Sequence, residues 1–204
     1  MILDGNSADE ILRSRRAELH AELVRNQDQL SRIEFMLQGH AEESFMNYVA
    51  TIKELPACIV YSRKATVARY SDFMTLIPAI GAEVSAKYPD LKCTSPEYCF
   101  MVYLDREYRE QDIHVEFCEA VEQMKPDFGD YHFQRLDPIT ALSIFHKGPY
   151  AGLGESYAYA FQWIEENGYR CCGPCRESYI DGIWNKELEA DWLTEIQIPV
   201  AKKP

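Results

Sequence analysis

No apolar run in the 204 residues reaches the ~18 that a membrane-spanning helix needs. No membrane partner is therefore expected. The N-terminus carries Asp4 and Glu10 where an export signal would be basic and then apolar. Basic side chains are the minority, 21 Lys and Arg against 33 Asp and Glu, for a net charge of −12. Such a surface repels phosphate, which argues against these residues gripping nucleic acid themselves, and it suits cationic ligands. The cysteine count is odd, seven, and without an export signal reduced thiols in the cytoplasm are the expected state. Cys172 and Cys175 form half of a zinc site, but neither a second pair nor a paired-histidine motif follows. No metal or other cofactor is expected, and Cys171, Cys172 and Cys175 read as strand and turn residues. His114, His132 and His146 are scattered, and no nucleophile beside an oriented base can be read, so the chain is not expected to be an enzyme.

What is present is a core. Hydrophobic residues make up 47% and aromatic residues 12% of the chain, which excludes wholesale disorder and suits one or two compact domains. The first segment reads as one helix over 8–38. Ser7 and Glu10 have capping-box spacing, and Gly39 marks the stop. One seam runs Leu12, Leu19, Asn26, Ile33; the other runs Arg16, Leu23, Leu30, Leu37. This is a coiled-coil pattern with polar interruptions at Arg16 and Asn26. A helix of that length extends roughly 46 Å at ~1.5 Å per residue, more than a small domain covers, so a homodimer through 8–38 is expected. The competing reading is an amphipathic helix folded back on its own domain. Residues 1–46 are assigned to this helix and its linker, and 47–204 to a second domain.

From Asn47 the texture changes to short strands punctuated by single helices. Strands are expected over 48–55, 57–67, 97–105 and 112–122, with a helix over 71–88 that Pro78 should kink or shorten. After the turn residues 126–130 the order recurs: strands near 131–137 and 139–147, a helix over 151–167, and strands near 174–181 and 191–200. The stripe Phe73, Ile77, Ile80, Val84 repeats as Leu153, Tyr157, Ala160, Ile164, shifted by 80. Met101–Asp105 resembles Glu177–Asp181 at a shift of 76, and Asp112–Glu116 resembles Asp191–Glu195 at 79. Shared order with nearly constant offsets argues for a duplicated β-α-β-β unit. The expected fold class is α+β: two such units forming one antiparallel sheet, two helices on one face, and a cleft along the pseudo-twofold axis, preceded by the long helix.

The halves differ where chemistry can sit. Met101 of the first matches Glu177 of the second, each two residues before a tyrosine, Tyr103 or Tyr179. Residues two apart share a strand face. If that face lines the cleft, Glu177 is an acid among aromatics, costly to bury and relieved by a cation or a hydrogen-bond donor. Tyrosines around it would add cation–π attraction of about 0.5–2 kcal/mol per contact. Alternatively Glu177 pairs with a nearby arginine or faces solvent. Tyr61, Tyr70, Phe73, Tyr150 and Tyr157 are candidate pocket walls that compete with an ordinary core role. Trp163 and Trp192 read as packing residues, and Trp184 sits in a loop able to cover the cleft.

Residues 48–200 resemble the GyrI-like effector-binding domain. The resemblance is carried by His146-Lys147-Gly148-Pro149-Tyr150 entering a helix, by Trp163, by Gly173-Pro174-Cys175-Arg176-Glu177-Ser178-Tyr179, and by the ending 191–200. The segment before it resembles the dimerisation helix of MerR-type transcription regulators. The resemblance implies a multidrug- or metabolite-responsive sensor, with the acid matching Glu177 in its pocket and the long helices paired antiparallel. It also implies a DNA-binding winged helix ahead of that helix. The chain starts where such a domain would end, so DNA contact is expected only through an N-terminal domain missing here. The expected ligand is a small aromatic molecule, with a cation suited to Glu177. The alternatives are a standalone GyrI-like hydrolase or sequestering protein for reactive small molecules, and a module that titrates a protein partner.

Overall fold

A computed structural model describes residues 48–105 and 109–204, together with Arg15, Arg16, Glu18, Leu19, Glu22 and Asn26. Those six residues are helical. The rest of the segment expected as a helix over 8–38, including most of its seam, lies outside the described residues, as does the linker that follows it up to residue 46.

Nine strands form the body of the described chain: β1 Thr51–Leu55, β2 Cys58–Val67, β3 Cys99–Tyr103, β4 Ile113–Val121, β5 Tyr131–Leu136, β6 Ile139–Lys147, β7 Tyr169–Cys171, β8 Arg176–Asp181 and β9 Leu193–Lys202. Two helices, α1 Phe73–Lys87 and α2 Leu153–Glu166, follow β2 and β6, each after one 3-10 turn. The sheet order is β1-β6-β9-β8-β3-β4-β2-β5, with β7 added on β9, and the pairings are antiparallel. Exchanging β1 with β5, β2 with β6, β3 with β8 and β4 with β9 reverses this order and leaves it unchanged. The duplication is therefore a pseudo-twofold of the whole sheet. The two halves also trade strands: β1 pairs with β6, and β5 pairs with β2.

Strand alternation sorts the side chains onto two faces. On the helix face, Phe73, Ile80 and Val84 of α1 pack with Tyr61, Met101, Val115, Phe117 and Val121. Ala160 and Ile164 of α2 pack with Leu142, Ile144, Ile196 and Ile198. Both helices thus lie on one face, and the repeated stripe is the one that faces it. The reverse face carries a smaller cluster around Val60, Phe100 and Cys118. It also holds a buried ion pair, Lys53 Nζ to Glu195 Oε1 at 2.5 Å.

Two expectations change. Pro78 does not shorten α1, which runs on to Lys87. Proline at that position removes a single bond, to the carbonyl of Met74, whose side chain is exposed. The strand β7 was not expected. Its three residues carry no alternation to read, and it forms by pairing with the end of β9.

Candidate functional site

Strands β3 and β8 meet at the centre of the sheet through Phe100–Ser178, Met101–Glu177 and Val102–Arg176. In the duplication Met101 is the counterpart of Glu177, and here the two are direct cross-strand partners. The pseudo-twofold axis therefore passes between them. An axis position is the one place where two copies of a repeat meet themselves, and this chain fills it with one apolar and one acidic side chain. Met101 is fully buried and Glu177 is 5% exposed.

Glu177 makes three side-chain hydrogen bonds. Tyr103 and Tyr179 donate to Oε2 at 2.9 and 3.0 Å, and Tyr157 donates to Oε1 at 2.9 Å. The Tyr103 and Tyr179 hydroxyls lie 3.4 Å apart. No cationic side chain contacts the carboxyl among the described residues. Arg176, its sequence neighbour, lies on the other face with its guanidinium 4.9 Å from the Phe100 ring centre. Burial pushes the Glu177 carboxyl above the ordinary carboxylate value, and the three hydroxyls pull it partly back. Burial and the Glu177 charge hold all three tyrosines well above their usual value, so they remain donors at neutral pH. Chemically this is an acid satisfied by neutral donors alone.

A second ring of aromatics flanks it with the same symmetry. Tyr70 lies 6.4 Å from Tyr103, and Tyr150 lies 5.7 Å from Tyr179, ring centre to ring centre. Tyr70 and Tyr150 each open the 3-10 turn that leads into a helix. Phe73 packs edge-on to Tyr70, and Trp192 lies against Tyr150 at 4.7 Å.

The second turn is locked by a device that sequence reading missed. His146 donates from Nε2 to the Pro149 carbonyl at 3.0 Å and, neutral, accepts at Nδ1 from Ser156 Oγ at 2.8 Å. Burial lowers its pKa, which keeps it neutral. A Cβ on Gly152 would stand 2.8 Å from His146 Cε1, so only glycine fits there. Gly148, at φ 120°, supplies the left-handed step before Pro149. The signal was His-Lys-Gly-Pro-Tyr-Ala-Gly read as one unit. The Ser156–His146 bond is wholly buried and serves the turn, which in turn aims Tyr150 and Tyr157.

Of the nine residues singled out from sequence, Glu177, Tyr179, Tyr103, Tyr157 and Met101 come together at the axis, and Tyr70, Phe73 and Tyr150 flank it. Tyr61 does not join them. It lies on β2, three strands from β8, about 14 Å at ~4.8 Å per strand. There it lines a separate cavity beside Glu119. Glu119 was not singled out, because β4 read only as an alternating strand. Trp184 is exposed and lies against Gly182.

The model of the GyrI-like small molecule binding domain matches residues 50–201. The crystal structure of the EcmrR C-terminal domain is 50% identical, with a TM-score of 0.74, over 77% of this chain and 99% of that one. EcmrR in a cryo-EM structure of the EcmrR-DNA complex in EcmrR-RPo is 47% identical, with a TM-score of 0.75, over 96% of this chain and 72% of that one. A protein described as a hydrolase from Listeria innocua shares the fold at 13% identity, with a TM-score of 0.52, over 82% of this chain and 98% of that one. No curated protein sequence matches the chain.

Proposed function

The chain belongs to the GyrI-like small molecule binding domain family, and from that premise we propose that residues 47–204 are the effector-binding half of a MerR-type transcription regulator. Likeness to EcmrR along nearly the whole chain supports this. In this reading 8–38 pairs antiparallel with a second copy, DNA contact belongs to a winged helix ahead of it, and the protein acts in the cytoplasm. The ligand is a small aromatic cation.

The observation that carries the ligand class is Glu177: a buried carboxyl on the axis whose three partners are all neutral hydroxyls. A buried anion without a cation is under-compensated. An aromatic cation supplies the missing charge, while tyrosines released from the carboxyl offer their ring faces to it. Because Tyr103 sits on β3 of the first half and Tyr157 on α2 of the second, such a ligand engages both halves of the sheet at once.

The test is a titration of the full chain with cationic and neutral aromatic dyes, followed by tryptophan quenching, in parallel with Glu177→Gln. Cationic dyes should bind saturably, and the substitution should weaken them at least tenfold, about 1.4 kcal/mol, while neutral dyes change little. Equal affinity for cations in both proteins would overturn the assignment. Ligand recovered intact after long incubation supports a sensor. Turnover of an electrophilic substrate, abolished by Glu177→Gln, would instead make the site hydrolytic.

A further inference from the structure

Away from the axis, α1 and the outer strands of the first half enclose a second cavity of about 240 Å³, open on one side. Its floor is Tyr61 of β2 and Glu119 of β4, direct cross-strand partners. Its roof is the C-terminal half of α1, with Gly81 and Val84, and Tyr88 just after it, and Glu97 is among its lining residues. Among the described residues no lysine, arginine or histidine lines it.

Three features set it apart from a packing fault. The Tyr61 side chain is 5% exposed, yet its hydroxyl has no hydrogen-bond partner among the described residues. The hydroxyl is not sealed from solvent, so an occupant of the cavity can partner it. Glu119 is driven up to about 7, chiefly by burial and then by the negative charge of Glu97, so the acid is held where a positive partner would relieve it. Finally, Gly81 sits inside a helix, where glycine is the poorest choice after proline. A Cβ there would meet nothing within 4 Å, so backbone packing does not demand the glycine. What its lack of a side chain preserves is the empty volume.

We infer that this cavity is a second binding site, for a small organic ammonium ion with an apolar body. Its N–H groups would be taken by the Glu119 and Glu97 carboxylates and the Tyr61 oxygen, and its body would be held against Tyr88 and Val84. The volume lies below the roughly 300–1,000 Å³ of pockets for drug-sized ligands, which limits the occupant to about one ring. The site is distinct from Glu177 in position, with Tyr61 three strands away across the sheet.

The probe is benzylammonium, with benzyl alcohol as the neutral analogue of the same shape, followed by amide chemical shifts on the full chain. Benzylammonium should saturate, with shifts centred on Gly81, Ser85 and Glu119. Glu119→Gln should weaken it at least tenfold, Glu177→Gln should not, and benzyl alcohol should bind at least tenfold more weakly. Gly81→Leu, which fills the cavity from a position with room for a side chain, should abolish binding with the fold intact. That variant decides the matter should Glu119→Gln fail to fold. Shifts centred on Tyr157 and Tyr179, equal binding of the alcohol, binding that survives Gly81→Leu, or no saturable binding would each overturn the inference.

Discussion

In the first half of the sheet the axis residue is Met101, and the matching position on its helix is Ile77. In the second half they are Glu177 and Tyr157. Around these pairs the frame is the same: Tyr103 matches Tyr179, Tyr70 matches Tyr150, and the helices present matching stripes to one face. Yet only the second half donates its helix hydroxyl to the axis acid. Two substitutions at equivalent positions thus turn half of a symmetric apolar core into a polar centre. Duplication supplied the enclosure, and divergence at the axis supplied the chemistry.

The sharpest way to break the comparison is to make the axis symmetric. Met101→Glu places a second carboxyl opposite Glu177 at ~5 Å between Cα atoms, with the Tyr103 and Tyr179 hydroxyls already engaged. We expect a loss of more than about 4 kcal/mol in urea unfolding, the range reached when an unpaired charge is buried. Exchanging the pair, Met101→Glu with Glu177→Met, should recover most of that loss. The recovery should stop short, because Ile77 stands where Tyr157 donates. An exchanged protein no better than the single variant would mean that the halves are not equivalent frames.

The entrances to the two helices give the next contrast. Gly152 has no room for a Cβ against the His146 ring, whereas its counterpart Asp72 is exposed and accepts from the Arg69 amide at 3.1 Å. Gly152→Ala should cost about 2–3 kcal/mol, since a buried ring with two hydrogen bonds must shift. Asp72→Ala should cost about 0.5–1 kcal/mol, the scale of a lost cap. Thermal unfolding of the two side by side reads the difference directly. Equal costs would put the importance of the turn somewhere other than His146.

Much of this was legible before any coordinates. The offsets near 80 in the helix stripes and strands give the duplication, and a duplicated unit with apolar faces has few ways to bury itself. Glu177 stood out for the same reason: it breaks a match. What the sequence hides is contact between elements. Tyr157 sits in an apolar stripe, and nothing local tells its hydroxyl from a ring edge in the core. Tyr61 reads like the other tyrosines until strand order puts β2 three strands from β8. Glu119 falls in phase with Ile113, Val115, Phe117 and Val121 on β4, so its inward face is legible, but the cavity beneath α1 that leaves it half-buried is not. Ser156 and Gly152 acquire meaning only once His146 lies beneath the turn.

Tyr157→Phe moves the second half one step towards the first without disturbing its shape. It leaves Oε1 of a buried carboxyl without its donor. A hydrogen bond to a charged group is worth about 1.5–3 kcal/mol, so a loss near 2 kcal/mol is expected at neutral pH. The loss should shrink in a Glu177→Gln background, because the hydroxyl then faces an uncharged amide. A double-mutant cycle on these two positions measures that coupling, and additive effects would show that Tyr157 does not act through the acid.

The smallest effect carries the most about function. In the folded chain the Glu177 carboxyl sits above the usual value of 4.5 because it is buried. Below that value both folded and unfolded states hold the proton, and the advantage of the neutral form is complete. As pH rises towards the folded value, the unfolded chain releases its proton first, so the parent loses stability across that window. Gln does not titrate, so the Gln variant should gain on the parent as pH rises and then level off. The sign and the plateau of that gain, read as the Tm difference between the two proteins against pH, are the expected result. His146 titrates with the opposite sign: its pKa is depressed, so stability falls as pH drops below the usual 6.5. That contribution is common to both proteins and cancels in their difference. On the proposed reading of Glu177 as the cation-binding acid, a saturating cationic dye should cancel or reverse the Gln advantage. If the Gln variant were less stable than the parent at every pH, Glu177 would be a structural member of the tyrosine cluster, and the ligand class would have to be sought from other residues.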